Sequence, residues 1–284
     1  MKKHSKMFFE SYNLAVEGAY DAYLKITEGD LSNGNNDKDD RLHLYLQNEY
    51  KKWLYTPMES LEERSPAEYL ETVNLLSSLM EMFSYGAVAC DEDLPEIFLE
   101  KLKSFGENGI DALLEVTAQN GASDSEGFLV PLMAVKILGA WKVERAAKPL
   151  IKLLYAEGEV YDLMFETVRD ALVRIGDPAL DDIFSALNSG NHSQTAIEYL
   201  IIALTDIGKM NPSDKIYLQL KKAFMEMPQK LIAANCLGNY GDGRAIPALR
   251  GYLERNRQQL DKETFYEIIS AIQRLGGKAN DLNL

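Results

Sequence analysis

The chain has 284 residues, 46% of them hydrophobic and 26% charged, which is the balance of a folded globular protein and excludes a disordered one. Its net charge of −14 excludes broad binding to nucleic acid or anionic membranes, since both need clustered Lys and Arg. One to two domains with a sizeable core are expected at this length.

In chain order, Phe8, Tyr12, Ala15, Ala19, Tyr23 and Ile26 fall on one face of a first helix, which the turn-rich stretch Gly29–Asp40 should end. A second helix is expected over about Arg41–Leu54. Thr56-Pro57 then breaks the chain. Ser65-Pro66-Ala67-Glu68 is a capping box that should open a helix running to about Tyr85. This region carries eight tyrosines and no repeat anchor, so residues 1–90 read as an N-terminal helical subdomain that caps the remainder of the chain; a separate recognition module is the alternative.

Residues 93–284 read differently, as a repeat array. Glycines recur at 106, 139, 176, 208, 241 and 276, at intervals of 33, 37, 32, 33 and 35 residues. Arg145-Ala146-Ala147-Lys148-Pro149-Leu150 matches Arg244-Ala245-Ile246-Pro247-Ala248-Leu249, and Ala179-Leu180-Asp181-Asp182-Ile183 is the same motif without its Arg. Gly109-Ile110-Asp111-Ala112-Leu113 is a weaker copy, and a degenerate one is expected near Pro212–Leu220. Each unit reads as two helices, the first ending at the glycine in the left-handed conformation. Asp177 and Asp242 are then placed to cap the second helix, and Pro178 fits its first turn. No convincing period-2 alternation marks a strand. One helix pair cannot bury its apolar face alone, so neighbouring pairs must stack. The expected architecture is an all-α, right-handed α-solenoid of about five to six pairs, the last truncated.

Tyr240-Gly241-Asp242-Gly243 followed by Arg244-Ala245-Ile246-Pro247-Ala248-Leu249 resembles the short HEAT-like repeat of phycobilisome-lyase-type HEAT proteins, and Gly176-Asp177-Pro178-Ala179-Leu180 resembles the same turn. The resemblance covers roughly residues 93–284 and implies a fold rather than a function, because this repeat serves many unrelated proteins. Two enzymatic uses of HEAT-like folds, alkylpurine DNA glycosylases and phycobilin lyases, find little support: the charge opposes a duplex-binding groove, and Trp53 and Trp141 are as readily core residues. Trp53-Leu54-x-Thr56-Pro57 with Ser65-Pro66-x-Glu68 also resembles a short motif of some bacterial antitoxin domains, which implies a bacterial source; Glu63-Arg64 replaces the glycine usual there.

Motifs for chemistry are scarce. His4, His43 and His192 are far apart, no ligand spacing for a metal occurs, and the acidic Asp30–Asp40 stretch fails the calcium-loop pattern at Gly34. There is no nucleophile elbow, phosphate loop or dinucleotide fingerprint. Cys236 reads as a core residue, and Cys90 sits beside Asp91, Glu92 and Asp93, which disfavour its thiolate. Arg145 and Arg244 occupy equivalent repeat positions and are expected to pair with carboxylates such as Glu144, Asp177 and Asp242.

The isolated cysteines and the lack of a long apolar run indicate a cytoplasmic chain with no membrane partner. These readings converge on a noncatalytic scaffold that binds another protein or peptide, of basic character, along a concave face lined by second helices. Lys152, Tyr155, Asp181, Asp182, Ser185, Arg250 and Glu254 lie off the apolar stripes of three such helices and are the candidate contacts. No cofactor is called for. The alternative is an enzyme or small-molecule-binding protein with a pocket between the N-terminal subdomain and the first repeat, near Trp53, Tyr55 and Tyr85. The final residues, without a full second helix, leave open a self-association face.

Overall fold

The computed structural model describes residues 2–27, 35–90, 93–118, 125–155, 162–189 and 193–279. The Gly29–Gly34 part of the expected turn, Asp91 and Glu92 beside Cys90, His192 and the last five residues lie outside them. Among the described residues the chain is helical and has no strand; Met58 and Arg64 form one isolated antiparallel bridge. No helix is long and apolar enough to cross a membrane. By its internal contacts the chain divides into residues 1–133 and 134–284.

In the first unit, α1 (Lys2–Thr27) packs against α2 (Asn35–Tyr55) and α4 (Leu76–Ala89). Phe8 and Phe9 are fully buried, and Phe9 meets Phe98 of α5 (Glu96–Lys103) at 5.4 Å between ring centroids. The expected stripe fails only at Ile26, which is 67% exposed; Tyr23, one turn earlier, is the residue that reaches Tyr45 of α2. The second helix starts at Asn35, earlier than the turn-forming Asn and Asp residues suggested. The same residue types are favoured at a helix start, where free N–H groups donate to side-chain oxygens and the positive end of the helix dipole attracts carboxylates.

The capping box forms as expected: Glu68 N–H donates to Ser65 Oγ at 3.3 Å, and Ser65 N–H donates to Glu68 Oε2 at 2.8 Å. Its helix is shorter than expected. α3 (Pro66–Glu71) stops where the Thr72 hydroxyl takes the Tyr69 carbonyl at 2.6 Å, and α4 begins only at Leu76. A β-branched Thr and Val followed by Asn favour that local closure over a continued helix. α6 (Glu107–Ala118) and α7 (Ser125–Ala140) come next.

The second unit contains the end of α7 from Ala134 onward, then α8 (Ala147–Leu153), α9 (Asp162–Ile175), α10 (Leu180–Asn188), α11 (Gln194–Met210), α12 (Asp214–Glu226), α13 (Lys230–Tyr240), α14 (Ile246–Asn256) and α15 (Lys262–Arg274). Three of the sequence anchors share one environment. Ala146, Ala179 and Ala245 are fully buried, each the last residue of a 3-10 turn that leads into α8, α10 or α14. The remaining two anchors differ. Gly109 lies inside α6, and near Pro212 the Ser213 side chain caps α12 directly, with no 3-10 turn.

The odd-numbered helices pack in succession, α9 on α11, α11 on α13 and α13 on α15. The even-numbered ones are joined by side chains: Lys215 of α12 reaches Asp181 of α10 at 3.0 Å, Lys222 reaches Asn188 at 3.0 Å, and Phe224 meets Tyr252 of α14 at 5.2 Å. The glycines divide into two classes. Gly106, Gly176, Gly241 and Gly276 have positive φ and end helices as expected. Gly139 and Gly208 do not; they lie inside α7 and α11. A Cβ on Gly139 would sit 2.6 Å from Ala171 Cα, and one on Gly208 would sit 2.8 Å from the Tyr240 ring. Gly238 makes the same kind of contact, with Ala271 Cα 2.8 Å from its missing Cβ. The left-handed turn after α7 falls instead to Lys142, at φ 53°.

Gly139→Ala forces backbone of α9 to move, so it should destabilise the protein by about 1–3 kcal/mol, the usual cost of overpacking. Gly18→Ala, in open space in the middle of α1, should stabilise it by about 0.5–1 kcal/mol. Urea unfolding of the two variants tests both signs; equal effects would contradict the close-packing role of Gly139.

Candidate functional site

The seven sequence-selected residues all lie in the second unit. Lys152 is exposed on α8 and Tyr155 follows that helix, with burial raising its phenol above the ordinary range. On α10, Asp181 and Ser185 are exposed and Asp182 is half-buried. Asp181 is not simply solvated: it accepts from Lys215, whose Nζ also stands 4.1 Å above the Phe184 ring. Arg250 of α14 donates to the Lys278 carbonyl, and Glu254 is exposed. The set falls on α8, α10 and α14, so it belongs to the even-numbered helices. α12 stands between the last two, with Lys215 and Lys222 facing α10.

Arg244 forms the pairing expected of it. Its Nη2 reaches Asp242 Oδ2 at 2.6 Å and Asp214 Oδ1 at 2.7 Å, and its guanidinium lies 4.4 Å above Tyr217. The Tyr217 hydroxyl donates back to the Arg244 carbonyl at 2.9 Å. The hydrogen bonds from Arg244 hold the Asp242 carboxyl below its usual range. Asp242 caps the turn by accepting from Arg244 N–H, as expected. Asp177 does not cap its turn; Gly176 occupies the cap position, and Asp177 instead accepts from Asn211 at 2.8 Å. This arrangement ties α14 to α12 and spends its charges internally.

Both cysteines are buried and unpaired with each other. Burial pushes the Cys236 thiol up to about 11, which leaves no thiolate at neutral pH. Among the described residues no group of three His, Cys, Asp or Glu side chains could hold a metal ion.

A cavity of about 440 Å³ lies wholly within the first unit. α1 contributes Tyr12, Ala15, Val16, Ala19 and Tyr20, and α2 contributes His43, Leu46, Gln47, Tyr50 and Trp53. Both sets follow the i, i+3, i+4, i+7 spacing of one helix face. Space opens because Ala15 and Ala19 stand where larger side chains would close the gap between the helices. Asp93 and Leu94, ahead of α5, and Glu96, its first residue, complete the wall.

Three rings form its floor. Tyr12 and Tyr50 stand 5.2 and 5.5 Å from Trp53, and Tyr12 meets Tyr50 at 6.3 Å and 89°. The Trp53 indole N–H donates to Ser11 Oγ at 3.0 Å, which fixes the ring. Ile97 N–H, a free donor at the start of α5, donates to the Tyr50 hydroxyl at 3.0 Å. Burial raises the Tyr50 phenol above its ordinary range, the Ile97 N–H opposes that, and Glu96 and Glu100 add to it. The phenol therefore stays protonated at neutral pH. The Gln47 amide and His43 Nε2 share a hydrogen bond at 2.9 Å, one turn apart on α2.

Of the residues named for a pocket in this region, Trp53 lines the cavity. Tyr55 is 69% exposed and Tyr85 packs near Phe9 at 6.2 Å, so neither lines it. Sequence reasoning missed Tyr12, Tyr50, Asp93 and Glu96 as a group. The available signal was the concentration of tyrosine opposite alanine on two helix faces. Compared with known protein families and with curated proteins, the chain matches none.

The Cys236 environment has a direct consequence. In a Cys90→Ala background the native protein should not react with a thiol reagent at pH 8, and should react fully in denaturant; rapid native labelling would contradict the packing around Cys236.

Proposed function

We propose that the chain is a noncatalytic binding protein in which residues 134–284 form a solenoid of HEAT-like helix pairs. In this reading it holds a basic protein or peptide by electrostatic attraction. The observation that carries it is the recurrence of like contacts about one repeat apart: Gly139 on Ala171, Gly208 on Tyr240 and Gly238 on Ala271 along the odd-numbered helices. A preformed stack costs a partner little reordering, and a chain of net charge −14 attracts a basic one.

Two faces are available to such a partner. The even-numbered helices carry Lys152, Tyr155, Asp181, Asp182, Ser185, Arg250 and Glu254. The odd-numbered helices carry Glu166 of α9 and Glu198 of α11, each next in sequence to a ring of the Phe165–Tyr199 contact at 5.7 Å. In a curved stack the more closely packed row is the inner one. The small residues that bring the odd-numbered helices together therefore favour Glu166 and Glu198 as concave contacts over Asp181 and Asp182.

The test is to capture partners on the immobilised protein, elute in rising salt, and measure the captured protein against Glu166→Lys/Glu198→Lys and Asp181→Lys/Asp182→Lys. Binding should be lost with the first pair, retained with the second, and should weaken steeply as salt rises. A partner whose affinity ignores both salt and charge reversal would overturn the reading.

A further inference from the structure

The cavity between α1, α2 and the start of α5 combines three features that a mere packing defect does not require. Its floor is electron-rich, made of Tyr12, Tyr50 and Trp53, with two of the rings at right angles. Its rim carries two carboxylates, Asp93 and Glu96, and among the described residues its lining contains no Lys or Arg. We propose that this cavity binds a small free organic cation, an amine or quaternary ammonium ion, with the charge over the aromatic rings and the carboxylates at its mouth. This goes beyond the scaffold reading and does not depend on it.

The wall sets the chemistry. An aromatic face attracts a cation within about 6 Å of the ring centroid, most strongly where water is excluded. Trp53 is almost fully buried and Tyr12 and Tyr50 are half-buried, so the rings offer a partly desolvated surface. A bare cation would not leave water for rings alone; the negative charge of Glu96, beside Tyr50, offsets that cost. An anion meets the opposite conditions throughout. A neutral ligand would gain the apolar contacts with Leu94 and the rings but nothing from the carboxylates. The Tyr50 hydroxyl accepts from Ile97, so its own hydrogen remains to donate to a hydroxyl carried by the ligand. The volume accommodates a cation of choline size with some water around it.

The test uses the full chain carrying Trp141→Phe, which leaves Trp53 as the only tryptophan. Choline is titrated while Trp53 fluorescence is followed, with calorimetry alongside, and 3,3-dimethylbutan-1-ol serves as a neutral ligand of the same shape. Choline should bind saturably, and the neutral isostere about tenfold more weakly. Glu96→Gln, an exposed substitution that leaves the core intact, should weaken choline severalfold without changing the isostere. Equal binding of choline and the isostere would overturn the proposal. So would the absence of saturation by choline or tetramethylammonium through the millimolar range. Tighter binding of N-acetyl-trimethyllysine methylamide than of choline would overturn the assignment to a free ion.

Discussion

The second unit depends on how closely its helices can approach. Where α7 meets α9 and α13 meets α15, a glycine faces an alanine backbone at a distance no Cβ tolerates. Removing those side chains lets the helix surfaces interlock along their length, and dispersion contacts at that spacing are many although each is small. Tyr240 lies over Gly208 in the same way, and its hydroxyl both accepts from Ser213 N–H and donates to the Ser213 carbonyl. One close approach therefore fixes a ring that in turn fixes the start of α12. Polar links at similar spacing, Lys215 to Asp181 and Lys222 to Asn188, add register rather than much stability, since exposed pairs contribute little.

The first unit fills its core largely with rings. Phe8, Phe9, Phe83 and Phe98 fill its core, and Gly86 stands under Phe9, where a Cβ would lie 2.5 Å from the ring. Tyrosine continues this arrangement outward along α1 and α2 until alanines interrupt it, and the cavity is the result. Its polar rim has the same origin: Tyr50 caps α5, and the first residue of α5 is Glu96, where a carboxylate suits the helix dipole. Helix-start electrostatics and a candidate ligand site thus share residues.

Much of this was legible in the sequence. The anchors at Ala146, Ala179 and Ala245 proved to be equivalent buried positions because a small residue is needed at each 3-10 turn. The box at Ser65 and Glu68 was legible because both partners lie within four residues. What escaped was the distinction between two uses of glycine. Gly176 and Gly241 serve a backbone conformation, while Gly139 and Gly208 serve a neighbouring helix, and local spacing is the same for both. The break after Glu71 was missed because apolar periodicity continues across it, while Thr72, Val73 and Asn74 together favour a local turn over another turn of helix. The cavity was missed because it is defined by what α1 and α2 lack toward each other, which no single stretch of sequence records.

The central claim is that residues 134–284 are stabilised by contacts between successive helix pairs rather than by one common core. Hydrogen exchange read by mass spectrometry on Gly238→Val tests it most directly. If pairs couple to their neighbours, protection should fall most in α13 and α15, less in α11, and not at all in α1 and α2. A uniform loss of protection across α8 to α15 would contradict the account.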